Sequence, residues 1–197
     1  MPNGSIGKPT IVAVGGTLRA HSSTEKALRL ILRRCEALGA ETILISGHDL
    51  DLPPYAPERP ERNDAAARLV NAFRSADAVV LGSPGYHGGI SGLVKNAIDY
   101  TEDMRSDAAC YFDGRPVGCV ATGAGWQGAV ATLGALRAIV HALRGWPTPL
   151  GVAINTIEPV FTPEGECLLP DLQRTLDAVA EQLIDFVAAR RALRAAA

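Results

Sequence analysis

Three short stretches of the chain hold residues whose types and spacing suit a phosphorylated, planar ligand. The first is Gly15-Gly16-Thr17-Leu18-Arg19-Ala20-His21-Ser22-Ser23-Thr24. It sets four hydroxyls (Thr17, Ser22, Ser23, Thr24) and one guanidinium (Arg19) directly before an amphipathic segment. A helix start presents unpaired N–H groups and a partial positive charge. Hydroxyls and an arginine beside it supply the further donors that a phosphate dianion needs. Ser22 or Ser23 could serve only as a helix cap, and Gly15-Gly16 only as a turn. Arg19 argues for the anion, because a cation before a helix N-terminus opposes the macrodipole unless a negative charge sits there. The spacing is neither the G-x-G-x-x-G dinucleotide fingerprint nor a Walker loop, so one mononucleotide phosphate is expected rather than a pyrophosphate.

The second stretch is Gly82-Ser83-Pro84-Gly85-Tyr86-His87-Gly88-Gly89. Its glycines let a planar ring lie close to the main chain, and Tyr86 offers a face to stack on. His87 is a candidate proton donor, although solvation is the commoner role of a loop histidine. The third stretch, Thr122-Gly123-Ala124-Gly125-Trp126-Gln127-Gly128, frames Trp126 and Gln127 with glycine. Gln127 carries donor and acceptor for a heteroaromatic edge, while Trp126 is equally suited to a subunit interface. Lys95 and Asp99 stand four apart and read as a surface ion pair in preference to a catalytic one. Asp49-Leu50-Asp51-Leu52-Pro53 reads as chain crossing the sheet in preference to touching a ligand. No nucleophile elbow, paired carboxylates or metal-ligand spacing stands out, so any chemistry is expected from a bound cofactor.

The elements that must position these turns alternate along the chain. Thr10–Val14 is a short β-branched run, and Ala27, Leu28, Ile31 and Leu32 then recur at helical spacing. Glu41–Ser46 predicts a second strand. Gly47–Pro60 holds four of the 13 prolines and predicts an irregular excursion. Asp64–Ser75 predicts a helix capped by Asn63, with Ala67, Val70, Asn71 and Phe73 near its inner side. Ala78–Leu81 predicts a central strand ending in a loop over Gly82–Gly89, and Ser91 caps a helix to about Glu102. Val117–Ala121, a helix from about Ala129 to Leu143, a strand Leu150–Ile154 and a helix Leu172–Arg194 complete the series. Leu133, Leu136, Ile139, Val140 and Leu143 suit either a core or an interface.

Five strands alternating with helices imply an α/β parallel sheet covered on both faces. Ligands of such sheets bind beyond the carboxyl ends of the strands. The three turns follow strands one, three and four, so all fall at one edge.

Composition bounds the rest. The 197 residues, 47% hydrophobic and 20% charged, predict a single domain over 1–197, with a flexible N-terminus over 1–8 and a helical tail over 190–197. A formal net charge of −2 gives no basis for a nucleic-acid or membrane surface. Cys35, Cys110, Cys119 and Cys167 form no C-x-x-C pair and no cluster with histidine. Free thiols, no metal site and a cytoplasmic location are expected. The polar start from Met1 to Pro9 lacks the apolar core of a signal peptide, and no apolar run is long enough to cross a bilayer.

At its three turns the chain resembles the NADPH-dependent FMN reductase family of the flavodoxin-like superfamily. Gly16 to Thr24 is similar to that family's G-S-x-R-x-x-S-x-N/T loop, which grips the FMN phosphate. By this resemblance Thr17, Arg19, Ser22 and Thr24 are phosphate ligands. Ser83 to Asp99 is similar to the S-P-x-Y…G-x-L-K-N-A-I-D segment, where Pro84, Gly85, Tyr86 and His87 would line the flavin, and Thr122 to Gln127 falls where the family has its third flavin loop. The cofactor-binding set expected is therefore Thr17, Arg19, Ser22, Ser23, Thr24, Pro84, Gly85, Tyr86, His87, Gly88, Thr122, Gly123, Gly125, Trp126 and Gln127, with His87 as the one candidate proton donor.

The resemblance implies a flavodoxin-like three-layer sandwich with a five-stranded parallel sheet in the order 2-1-3-4-5. It implies hydride transfer from NADPH or NADH to FMN between stacked rings, with proximity supplying much of the rate. Reduced FMN would then feed a partner monooxygenase, or stay bound and reduce a quinone, azo or nitro acceptor; a flavodoxin-type electron carrier is the other class. Homo-oligomers are usual in the family, so a homodimer or homotetramer is expected. Thr17 stands where serine is commoner, His87 where Asn or Lys is common, and Gly88-Gly89 predict an open second loop.

Overall fold

Strands β1 (Thr10–Gly15), β3 (Ala78–Tyr86) and β5 (Pro116–Gly123) form the middle of the sheet in this computed structural model, which describes residues 7–196. Most of the expected N-terminal stretch, 1–6, and the last residue of the tail lie outside the described residues. Ile11, Val12, Ala13 and Val14 have no exposure, nor do Val79, Val80 and Leu81. A strand buried on both faces needs helices on both. Val12 and Val14 join one core with Leu69, Phe73, Val94, Leu136 and Val140, from helices α2 (Asp64–Ser75), α3 (Gly92–Asp99) and α4 (Trp126–Ala142). Ile11 and Ala13 join the other with Leu28, Ile31, Leu176 and Leu183, from α1 (Ser23–Ala37) and α5 (Pro170–Ala195). The alternation along a single strand thus divides the molecule into three layers.

The sheet has seven strands where five are expected. From one edge it runs β2 (Glu41–Ile45), β1, β3, β5, all parallel. The position beyond β5 is shared by β6 (Trp146–Pro147) and β7 (Val152–Asn155), both parallel to β5. The run Pro147-Thr148-Pro149 explains the break, because proline has no N–H to continue a ladder. Between the two strands Thr148 donates its N–H to the Val117 carbonyl at 3.0 Å and its hydroxyl to the Leu150 carbonyl at 2.6 Å. The seventh strand, β4 (Gly89–Ile90), pairs antiparallel with the end of β3. Composition alone assigns Gly82–Gly89 to loop. Instead β3 runs on to Tyr86, because Gly82, Ser83 and Pro84 pair with Val120, Ala121 and Thr122.

Smaller differences follow from packing. Helix α4 starts at Trp126, so Trp126 and Gln127 lie on its first turn. The inner face of α2 is Ala66, Leu69, Val70, Ala72 and Phe73, while Asn71 is exposed. Asn63 caps α2 as expected, accepting the Ala66 N–H at 2.8 Å. Leu136 and Val140 are core residues, and Leu133, Ile139 and Leu143 pack against them half-buried. The Lys95–Asp99 pair is present at 2.6 Å on the surface.

The irregular excursion after β2 is latched to α3 and the 3-10 turn that follows it, Tyr100–Met104. The Asn96 amide accepts the Tyr55 N–H at 2.8 Å and donates to the carbonyls of Leu52 and Pro53. Arg62 lies over the rings of Tyr55 and Tyr100, 5.0 and 5.4 Å from their centroids, and donates twice to the Asp103 carboxylate, at 2.7 and 2.9 Å. Arg62→Ala is expected to cost roughly 2–3 kcal/mol in urea denaturation, from a bidentate charged pair and two cation–π contacts. The hydrogen bond from Arg62 holds the Asp103 carboxyl below its usual value. A depressed folded-state pKa stabilises above the unfolded aspartate value of about 3.9 and loses that effect as pH falls through the folded value. The gap between the wild type and Asp103→Asn should therefore be full at neutral pH and close in acid.

Candidate functional site

The three turns meet because β1, β3 and β5 are parallel neighbours in register. Gly15 lies opposite Gly82, and Pro84 opposite Thr122. Gly15 and Gly16 have φ of 151° and 114°, which turns the chain off the strand end, and Gly16 donates to the Gly82 carbonyl at 3.3 Å. Ser22 is the N-cap of α1, its hydroxyl accepting the Glu25 N–H at 3.3 Å. The remaining first-turn N–H groups have no intrahelical acceptor. Thr17 Oγ1 lies 3.2 Å from both the N–H and the carbonyl of Arg19, which curls the turn around itself. The Arg19 side chain is exposed and has no carboxylate partner among the described residues. Thr17, Arg19, Ser22 and Ser23 thus share one turn, in which the exposed Arg19 guanidinium and the first-turn N–H groups are left to suit an anion. The Thr17 hydroxyl is engaged with Arg19, and Ser22 is buried as the cap.

Thr24 stands apart from them. Buried like Ser22, it has its hydroxyl 2.7 Å from that of Thr122, which is buried as well. This bond ties the first turn to the third. What Thr24 can offer an anion is its backbone N–H in the first turn of α1.

Glu25 is a site residue that sequence reasoning missed. Its side chain is 5% exposed, yet it accepts the His21 N–H at 3.0 Å and pairs with Arg29 at 2.8 Å. It holds His21 at φ 58°, a left-handed conformation that closes the turn. The signal is a capping box, Ser22-Ser23-Thr24-Glu25, with the glutamate reaching one residue further back than usual.

The second turn is tight rather than open. His87 and Gly88 have φ of 50° and 84°, and Tyr86 pairs with Gly89 across them. Two consecutive positive φ values in a two-residue hairpin make a type I′ turn, whose twist matches the flanking strands. Ser83 is fully buried; its hydroxyl accepts the Ser91 N–H at 2.9 Å and donates to the Pro84 carbonyl at 2.8 Å. Pro84 is buried beside it. Gly85 is pressed against α4, where an added Cβ would stand 2.6 Å from Thr132 Oγ1. The hairpin therefore projects rigidly, with Tyr86 54% exposed and His87 exposed at its tip.

In the third turn Gly125 has φ 125° and donates its N–H to Asn155 Oδ1 at 3.0 Å, which also accepts from Ile157 at 3.1 Å. Asn155, at the end of β7, carries no distinguishing sequence signal beyond its place at a strand end. Gly123 packs so closely on α4 that a Cβ would lie 3.1 Å from the Ala129 nitrogen. Trp126 is 62% exposed and Gln127 is exposed, so neither is spent in the core. The edge thus offers a donor-rich turn at one end and two exposed aromatic faces, Tyr86 and Trp126, at the other. A phosphate and a planar ring fit that donor set. Among the described residues no group of histidine, cysteine and carboxylates could hold a metal ion, and no helix is long and apolar enough to cross a membrane.

The same architecture recurs in solved flavoproteins. FerB, a flavoenzyme NAD(P)H:(acceptor) oxidoreductase from Paracoccus denitrificans, superposes with a TM-score of 0.74 at 21% identity, covering 92% of this chain and 98% of that one. The NADH:FMN oxidoreductase EMOB, in its apo form, gives 0.69 at 20% identity over 92% and 90% of the two chains. A WrbA-like flavodoxin from Agrobacterium tumefaciens gives 0.61 at 19% over 91% and 98%. These likenesses establish the flavodoxin-like α/β fold. In sequence, an FMN-dependent NADPH-azoreductase of Staphylococcus aureus is 30% identical over 142 residues, 71% of this chain and 72% of the relative. The profile of the NADPH-dependent FMN reductases matches residues 9–158, a span that takes in all three turns, and the chain belongs to that family of NAD(P)H-dependent flavin oxidoreductases.

Proposed function

We propose that the chain reduces FMN with NAD(P)H at the edge formed by the three turns, and that the flavin exchanges with solvent between turnovers. One observation carries this: an unpaired guanidinium and the free donors of a helix start share an edge with two exposed aromatic faces. Thr17, Arg19, Ser22, Ser23 and the Thr24 N–H would hold the phosphate. Pro84, Gly85, Tyr86, His87 and Gly88 would line one side of the ring system, and Thr122, Gly123, Gly125, Trp126 and Gln127 the other. Bound FMN supplies the redox chemistry, accepting a hydride from the nicotinamide. The protein's part is orientation and exclusion of water, which needs fixed turns more than an acid or base. Glu25, Asn155 and the Thr24–Thr122 pair supply that rigidity.

His87 then acts as a turn residue. His87→Asn keeps the left-handed turn, since asparagine suits φ > 0. It should leave stability level or higher by a few tenths of a kcal/mol and change NADPH oxidation less than two-fold. A ten-fold loss of rate would assign the imidazole to proton delivery.

A second reading has FMN resident and a small acceptor reduced in its place; the azoreductase relative favours it. NADPH oxidation with free FMN titrated from none to excess separates the two. A rate that saturates with FMN supports exchange, with reduced FMN available to a flavin-dependent monooxygenase. A rate indifferent to FMN, appearing only with an azo dye or quinone, supports the resident flavin. No oxidation in either case would leave an electron carrier. Assembly as a homodimer or homotetramer belongs to the same proposal and is supported by exposed Val130 and Trp146.

A further inference from the structure

At the opposite, amino-terminal ends of the strands, around the start of β5, five arginines line one cavity of about 230 Å³. They are Arg74 from α2, Arg115 before β5, and Arg190, Arg191 and Arg194 from the end of α5; the carboxylates that line it are Asp77 and Asp113. Three of the five are accounted for. Arg191 pairs with Asp77 at 2.8 Å and Arg74 with Asp107 at 2.8 Å. Arg115 spends its guanidinium on main-chain carbonyls, those of Phe73 and Tyr111 at 2.9 Å and of Arg74 at 3.2 Å.

Arg190 and Arg194 are not accounted for. Neither has a carboxylate partner among the described residues, and Arg190 Nε is buried without any hydrogen-bond partner. Their guanidiniums converge: an added Cβ on Gly114 would stand 2.7 Å from one Nη2, that of Arg190, and 3.7 Å from the other. Gly114, at φ 71°, lets the Arg190 guanidinium pack against its main chain where a side chain would otherwise stand, and both arginines line the cavity beside it. Burial lowers the Arg115 pKa, and the positive charge of Arg194 adds to that effect against Asp77, Asp107 and Asp113. Two close cations beside a buried, unbonded Nε cost free energy unless an anion joins them.

We infer that Arg190 and Arg194, beside Gly114, form a second anion site that takes a phosphate group. A planar fork binds phosphate or carboxylate in two-point fashion, and a dianion neutralises two cations where a carboxylate neutralises one. The cavity admits a phosphate group. Strand β5, eight residues long, separates this site from the flavin edge by roughly 25 Å. A ligand here therefore does not compete for the FMN cradle. The phosphate can be the free ion or the end of a nucleotide; the recognising chemistry is the same.

The test uses the FMN-saturated protein, so that the first cradle is filled, at constant ionic strength with chloride as the reference ion. Inorganic phosphate should raise the melting temperature saturably, by about 2–4 °C at full occupancy. Arg190→Gln and Arg194→Gln should each weaken the phosphate response at least ten-fold. Without phosphate, the same variants should be as stable as the wild type or more so, because a repelled cation has gone. A purely structural arginine would show the opposite sign. AMP binding more tightly than phosphate would assign a nucleotide source, and equal or weaker binding the free ion; both support the site. A phosphate response no larger than that of chloride overturns it, as does a response unchanged in both variants or a phosphate-free protein destabilised by both.

Discussion

Gly15→Ala is expected to destabilise the protein by roughly 3–5 kcal/mol, the sum of an overpacking cost and a strained φ. The added methyl would collide with the Gly82 carbonyl, standing 2.6 Å from its carbon and 2.8 Å from Gly82 Cα. Nothing there can yield: both partners are main chain of central strands, and Gly82 itself is packed on Thr24 and Leu28. The φ of 151° at Gly15 adds strain that a β-carbon makes worse. Urea denaturation would read the loss as a lower midpoint with unchanged slope. Gly88→Ala is the control. It has a positive φ of 84° but open space around it, so strain alone should cost about 1 kcal/mol. Equal effects of the two substitutions would remove the collision from the account. FMN affinity should fall with Gly15→Ala in protein that remains folded, because displacing the end of β1 moves the turn that carries Arg19.

The layers and the convergence of three turns are legible because they depend on patterns that a linear sequence carries well. Thr10–Val14 and Ala78–Leu81 are apolar runs too short and β-branched for helices, and they do form central strands. Asn63 and Ser91 read as caps and act as caps. What is not legible depends on partners. Gly82-Ser83-Pro84 looks like loop by composition, yet pairing with Val120-Ala121-Thr122 holds it in the sheet. Gly88-Gly89 suggests openness, whereas register across Tyr86 and Gly89 makes a two-residue hairpin. The split of the outer position into β6 and β7 has its sequence sign in Pro147 and Pro149, whose missing N–H groups interrupt a ladder.

At the site the same division holds. Thr17, Arg19 and Ser22 are marked by being polar in an otherwise turn-like stretch, and the structure keeps them in one turn, with Arg19 exposed, Thr17 half-buried and Ser22 buried as the helix cap. Thr24 has the same chemistry, yet its hydroxyl faces Thr122, a residue 98 positions away. Only the registers of β1 against β3 and of β3 against β5 bring the two together. Glu25 and Asn155 escape notice because their work is to hold main-chain N–H groups of other turns, and such groups leave no trace in residue type.

Arg19→Ala is expected to weaken FMN binding by on the order of 1.5–3 kcal/mol, roughly 10- to 150-fold in Kd, as when a charge-assisted hydrogen bond to a phosphate is removed. Arg19 is exposed with no carboxylate beside it, so its removal should leave the melting temperature of the FMN-free protein unchanged. The helix start argues the same way: a cation here is unfavourable to α1 alone, and its loss should if anything help. The decisive comparison is riboflavin, which keeps the ring system and lacks the phosphate. Arg19→Ala should leave riboflavin affinity level while FMN affinity falls to approach it. Equal weakening of both would move Arg19 from the phosphate to the ring. Unchanged FMN affinity would leave the cradle to Ser22, Ser23 and the helix N–H groups. Arg19→Lys adds a finer test, since lysine keeps the charge without the fork. Partial recovery would make the interaction mainly electrostatic, and none would make it a two-point hydrogen bond. Raised salt should shrink the difference between wild type and variant in the first case, because an exposed charge pair is screened.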